Sequence, residues 1–162
     1  MSQEDLFSLP INPKISPEYI EEELIPFLNK HKHLIYDLYF TTRMPPFMQD
    51  AMGDVFRGVN DSKQAVKNAF YISQKTELPL SATFNNIWVK PDQKNLEEFI
   101  TNFKFLYDNG VRIATIPHTS WIMTGQIQKE YPELYIKNTI LREVSKPNEI
   151  VSLASAGFNY IN

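Results

Sequence analysis

The segments LYDNGVRIAT (residues 106–115) and LASAGFNYIN (residues 153–162) repeat one junction: a helix stops on a glycine and passes directly into a run of branched or aromatic residues. Leu106 and Gly110 match Leu153 and Gly157 in register. The second copy predicts that a β/α alternation is still running at Asn162, and an α/β sheet needs cover beyond such a unit. The 162 residues suffice for one domain with a real core. They fall short of the roughly 200 or more that a complete eight-unit β/α barrel needs. The expectation is a single α/β domain over residues 1–162, with residues 1–15 irregular. It forms the N-terminal part of a larger barrel, as a fragment of a longer chain or completed by a partner chain or a second copy.

A net charge of -3 supplies no basic field, which disfavours nucleic acid and anionic membranes as partners. The absence of cysteine removes disulfides, thiolate nucleophiles and iron–sulfur ligation from this segment. Any metal would need His, Asp or Glu ligands, and no second ligand lies at useful spacing from a histidine, so no metal and no cofactor is predicted. The opening MSQEDLFSLPINPK is acidic and broken by proline, unlike a secretory signal. No apolar run reaches the roughly 18 residues of a spanning helix. The expectation is a soluble, cytoplasmic protein with no membrane association.

Ser16-Pro17 reads as a helix start, with a kink at Pro26. HLIYDLYF (33–40) reads as the first strand, with Leu34, Tyr36, Leu38 and Phe40 on one face and Ile35, Asp37 and Tyr39 on the other. The connection from Thr41 to Asp61 is far longer than the usual 2 to 6 residues of a β/α joint, and apolar enough to be a packed or binding segment. Phe47 to Val55 is expected to form a short helix in it. Ser62 is read as the cap of the next helix, Leu80 to Asn86 as the second strand, and Asn95 with Glu98 as an N-terminal cap over Leu96, Phe99, Ile100, Phe103 and Leu106. Asn109-Gly110 ends that helix. VRIATIP is the third strand, LYIKNTIL the fourth and FNYIN the fifth.

Strict alternation of strands with helices implies parallel pairing through right-handed crossovers. The fold class expected is therefore α/β, with parallel β/α repeats forming a partial TIM-type barrel of about five strands. A doubly wound sheet is the rival. Against it, Thr41-Thr42-Arg43 follows the first strand where a glycine-rich phosphate turn would stand.

Ligands of parallel β/α proteins gather at the carboxyl ends of the strands. Those ends here read Thr41, Thr42 and Arg43; Asn85 and Asn86; His118, Thr119 and Ser120; Asn138 and Thr139; and Asn162, whereas the strand starts are mostly apolar. Arg43, Asn85, Asn86, Thr119 and Asn138 are the candidate ligand-binding residues, Arg43 as a bidentate clamp for carboxylate or phosphate. Asp37 and His118 are the candidate catalytic residues. Asp37 stands mid-strand, where a carboxylate is costly unless paired, and Arg43 or Lys137 can neutralise it. It serves either as a general base or as a structural hydrogen-bonding group facing the lumen with Tyr39, Ser81, Thr83 and Thr115. A histidine at the mouth can act as acid or base near neutral pH. Met44 to Met48 and the two tryptophans, Trp88 and Trp121, form either a lid over a ligand or apolar packing on the barrel.

The segments SATFNNIWV, LYDNG, VRIATIPHT and YIKNTILREVSKPNEIVSLASAGFNYIN resemble the first half of the barrel in the U32 (collagenase-like) peptidase family, over residues 33–162. The resemblance implies a hydrolase-like barrel acting on peptides or modified RNA bases, with an iron–sulfur cluster in some members. The family's cysteine-bearing signature lies beyond the matching region, so no catalytic residue is carried over and enzymatic activity stays open. The function expected is binding of a peptide-like or small polar ligand at the strand ends. The alternative is a non-enzymatic assembly module that completes its sheet with a partner.

Overall fold

Five parallel strands lie side by side in chain order, β1 (Phe7–Pro10), β2 (Ile35–Thr41), β3 (Leu80–Thr83), β4 (Ile113–Thr115) and β5 (Tyr135–Lys137). The computed structural model describes residues 6–12, 14–48, 59–139, 144 and 146–161. The order never reverses, which separates this sheet from the doubly wound rival, whose strand order switches direction part-way across. Right-handed crossovers that always step the same way place every helix on one side and curl the sheet into a barrel wall.

Each crossover is helical. Between β1 and β2 run α1 (Pro17–Tyr19), a π-helical turn (Ile20–Leu24) and α2 (Ile25–His31), and a 3-10 turn (Lys32–Leu34) leads into β2. The Ser16 hydroxyl accepts from Tyr19 N at 3.2 Å, so the expected cap forms. The kink expected at Pro26 takes the form of the π-helical turn just ahead of it, where a residue without an N–H leaves the helical ladder open to widening. Then follow α3 (Val59–Thr76), α4 (Gln93–Asp108), α5 (Thr119–Met123) with α6 (Gln126–Glu130), and α7 (Pro147–Ala156). The cap of α4 is Asp92, whose carboxylate accepts from Asn95 N at 2.9 Å, not Asn95 as the N-x-x-E pattern suggested. Helix α3 already runs from Val59, so Ser62 lies inside it. Gly110 and Gly157 end α4 and α7 at φ 98° and 107°.

The core lies between the strands and the helices. Leu38 and Phe40 of β2, Leu80 and Ala82 of β3, Ala114 of β4 and Ile136 of β5 pack on Leu28, Val66, Ala69, Phe99, Phe103, Trp121, Ile127 and Leu153. The other strand face carries Asp37, Ser81, Thr83, Thr115 and Lys137, all buried and all polar. From Leu80 to Asn85 the residues alternate, Leu80, Ala82 and Phe84 in the core and Ser81, Thr83 and Asn85 on the opposite face.

Three strand assignments change. Phe7–Pro10, within the stretch expected to be irregular, is β1. FNYIN is not a strand: Tyr160 makes a single parallel bridge to Lys137, and Asn159 clasps β5 by donating its N–H to Ile136 O (2.9 Å) while its side chain accepts from Ile136 N (2.8 Å). In β2 the alternation breaks. Phe7 pairs with Ile35 and Ser8 with Asp37, leaving Tyr36 as the extra residue of a β-bulge. The bulge turns Ile35 into the core with Leu38 and leaves Tyr36 beside Asp37, whereas strict alternation put Tyr36 with Leu38. Of the short helix expected over Phe47 to Val55, Phe47 sits instead in a turn in which Met44 N donates to Phe47 O at 3.2 Å; residues 49–55 lie outside the described ones.

Candidate functional site

The register sets Thr41, Thr83, Thr115 and Lys137 in one row across β2 to β5, since each pairs with the next. Side chains at register partners share a face, so three hydroxyls and one ammonium line the same level of the concave wall. Tyr39 and Ser81 form the row beneath on β2 and β3. Together with Ser8 and Asn85, these side chains surround a cavity of about 280 Å³ lined by Ser8, Tyr39, Ser81, Thr83, Asn85, Thr115 and Lys137.

Lys137 reaches across this concavity. Its Nζ donates to Asp37 Oδ2 at 2.6 Å, and Ser8 Oγ lies 3.4 Å away. Strands β2 and β5 are three steps apart, about 14 Å along a flat sheet, and side chains standing perpendicular to such a sheet would not meet. The contact exists because the wall is curled. The Lys137 side chain is 7% exposed and that of Asp37 0%, so the pair is sealed from bulk water. The Tyr36 and Tyr160 rings flank the ammonium at 5.0 and 5.2 Å and stack on each other at 5.9 Å, adding cation–π attraction to the ion pair. Burial raises the Tyr36 hydroxyl above its ordinary range, with the Asp37 charge adding to it, which keeps the ring neutral.

Two buried atoms of this face, Asp37 Oδ1 and Ser81 Oγ, have no hydrogen-bond partner among the described residues. An unsatisfied buried group of this kind costs about 1–3 kcal/mol, and of the two residues Ser81 lies in the cavity lining.

The expected site residues divide. Asp37 forms the ion pair, and Asn85 lines the cavity, its Oδ1 accepting from Thr139 Oγ1 at 3.0 Å. Asn86 caps its own turn, its side chain accepting from Trp88 N at 2.9 Å. Arg43 is half-buried in the loop after β2, Thr119 opens α5, and Asn138, buried, donates its backbone N–H to Tyr160 O at 3.2 Å; none of the three is in the cavity lining.

His118 lies on the helix side, its ring 4.8 Å from Trp121 and 6.1 Å from Phe47. Burial lowers its affinity for a proton, opposed by a hydrogen bond with the Val89 backbone. Phe47 is a plug in the same cluster, 5.7 Å from Trp121 and 5.8 Å from Phe99, so this part of the Met44 to Met48 segment is packing and not a lid. Trp88 stands 85% exposed beyond β3.

Sequence reasoning missed Ser8, because a four-residue strand ending in proline gives too short a pattern to read. It named Lys137 only as a possible counter-charge. The signal for more was present in I-K-N-T, a lysine two positions before a threonine on a strand, where a cation facing a lumen is unusual. Among the described residues no three His, Asp or Glu side chains gather to hold a metal, and no helix is long and apolar enough to cross a membrane.

No family model matches this sequence, and no curated protein does. Solved structures do match in shape. A protein assigned as a phosphonomutase from Burkholderia cenocepacia J2315 superposes with a TM-score of 0.56 at 12% identity, over 85% of this chain and 56% of that one. The carboxyl transferase domain of Rhizobium etli pyruvate carboxylase gives 0.52 at 11% identity, over 96% of this chain and 26% of the other. An N-acetylneuraminic acid synthetase from Leptospira borgpetersenii serovar Hardjo-bovis gives 0.38 at 17% identity, over 85% and 45%. The chain thus spans about half of the first and a quarter of the second. The first two neighbours are of the phosphonomutase and carboxyl transferase kinds, and they overturn the U32 peptidase resemblance. That resemblance rested on the rhythm of β/α units, which unrelated barrels share because the same caps and glycine stops build all of them. The chain is a partial TIM-type β/α barrel of five parallel strands.

Proposed function

We propose that this chain is the ligand-binding part of a TIM-type β/α-barrel enzyme, taking a small polar molecule rich in oxygen atoms into the cavity on the concave face, with Lys137 and Asp37 as its charged anchor. The observation that carries this reading is the buried Lys137–Asp37 pair, whose Lys137 lines a 280 Å³ cavity walled by hydroxyls together with Ser81, whose Oγ has no partner among the described residues. Hydroxyls of Tyr39, Thr83 and Thr115 both donate and accept, which suits hydroxyl and carbonyl oxygens. Asn85 stands over them at the carboxyl end of β3, where ligands of parallel β/α folds bind.

The test is ligand-observed NMR on the full chain with a panel of small hydroxy acids, sugars and oxo compounds, repeated on Ser81→Ala and Thr115→Val. Binding that both substitutions weaken supports the reading. A panel with no binder, or binding indifferent to both substitutions, removes it.

The sheet edges favour a second, compatible reading, in which further β/α units from a longer chain or a partner complete the barrel. Among the described residues β1 pairs only with β2, and the exposed Phe7 (57%) and Tyr135 (57%) stand on the two outermost strands.

A further inference from the structure

We propose that Lys137 is an amine nucleophile that condenses with a small aldehyde or ketone in this cavity, with Asp37 as its proton partner. The inference rests on the ligand cavity proposed above and names the class of its substrate. Lys137 belongs both to a buried ion pair and to the cavity lining. Asp37, Ser8 and the faces of Tyr36 and Tyr160 hold its ammonium, and its side chain lines the cavity. Because Asp37 cancels the charge of Lys137, the site exerts little net pull on an anion. The hydroxyls of Tyr39, Ser81, Thr83 and Thr115 suit a neutral carbonyl compound bearing its own hydroxyls. At about 30 Å³ per water, the volume corresponds to about nine waters, enough for a molecule of a few carbons.

The chemistry balances without an oxidant or reductant. A proton passes from Nζ to Asp37 Oδ2 along the 2.6 Å hydrogen bond, freeing the nitrogen lone pair. The lone pair attacks the carbonyl carbon: a C–N bond forms, the C=O π pair moves to oxygen, and that oxygen takes the proton back from Asp37. A second proton from nitrogen goes to the carbinolamine hydroxyl, the C–O bond breaks, and water leaves with both hydrogens. The product is a protonated imine, a cation occupying the place of the original ammonium. The Asp37 carboxylate and the two tyrosine faces meet this cation as they met the ammonium. Lysine is the side chain suited to this, because its amine gains nucleophilicity on losing a proton, whereas arginine does not deprotonate.

The full chain is incubated with limiting glycolaldehyde or dihydroxyacetone and cyanoborohydride, which reduces an imine to a stable secondary amine. Digestion and mass spectrometry then measure labelling at each lysine. Lys137 is expected to be labelled at least about tenfold faster than the exposed Lys104, owing to positioning of the carbonyl in the cavity. Asp37→Asn should slow Lys137 alone. Lys137→Arg keeps the charge beside Asp37 and should abolish trapping in the cavity; it also serves if Asp37→Asn does not fold. Labelling of Lys137 no faster than Lys104 overturns the inference. If ligands of the panel nevertheless bind, the cavity stands and only the covalent step falls; if nothing binds and nothing is trapped, both fall.

Discussion

Replacing Lys137 by methionine keeps most of the side-chain volume and removes the charge, leaving the Asp37 carboxylate wholly buried with neither oxygen partnered by Lys137. Breaking a buried ion pair from one side costs about 3–5 kcal/mol, because the remaining charge has lost both water and partner. Against a typical total stability of about 5–15 kcal/mol, that is enough to bring the fold close to its unfolding midpoint. The double variant Lys137→Met with Asp37→Leu contains no buried charge, and replacing both members by apolar groups is close to neutral, so it should recover most of the loss. Lys104–Asp108 provides the internal contrast. It is as short, at 2.8 Å, but its side chains are 63% and 51% exposed, so Lys104→Met should cost no more than about 0.5 kcal/mol. Urea unfolding followed by far-UV circular dichroism measures the parent, these three variants and the Asp37→Leu single variant. A loss below about 1 kcal/mol in Lys137→Met, or a double variant as destabilised as the two singles summed, would refute the reasoning, since both results would mean that water reaches the pair.

Two further outcomes follow from the packing. Burial holds the protonation of His118 below its ordinary 6.5, so the unfolded chain takes up this proton first as the solution is acidified. The stability it contributes is present above pH 6.5 and lost as the pH falls from there through the lowered folded value. His118→Phe retains the aromatic stack without a titrating ring, and its stability should fall less than the parent's between pH 7 and 5; identical pH slopes in urea melts would show that His118 is not sealed. Gly157→Ala should lose about 1–3 kcal/mol, because φ is 107° and a Cβ there would lie 2.7 Å from Gln128 Nε2 and 3.3 Å from Ile122 Cγ2. Gly110→Ala, at φ 98° with open space around it, should lose less, and equal losses would contradict the steric account.

The legible features were those set by neighbours in the chain. Gly110 and Gly157 mark helix ends because a positive φ is a property of one residue, and the alternation of Leu80 to Asn85 sorts itself because side chains on a strand point alternately to opposite faces. From these the β/α rhythm and a polar face opposite an apolar one could be read before any coordinates. Local chemistry also misled: Asn95 is outcompeted as a cap by Asp92 three residues earlier, and His118 carries the polarity expected of a site but faces the helices.

The remainder depends on contacts between residues far apart in the chain. The one-directional strand order makes a barrel wall of units that would equally suit a doubly wound sheet. The bulge at Tyr36 arises from pairing with β1, nearly thirty residues upstream, and no pattern within HLIYDLYF contains it. Lys137 meets Asp37 across 100 residues because curvature brings β5 over β2. Periodicity tells each strand which face is dry, but only the closing of the wall tells two polar residues that they share a cavity.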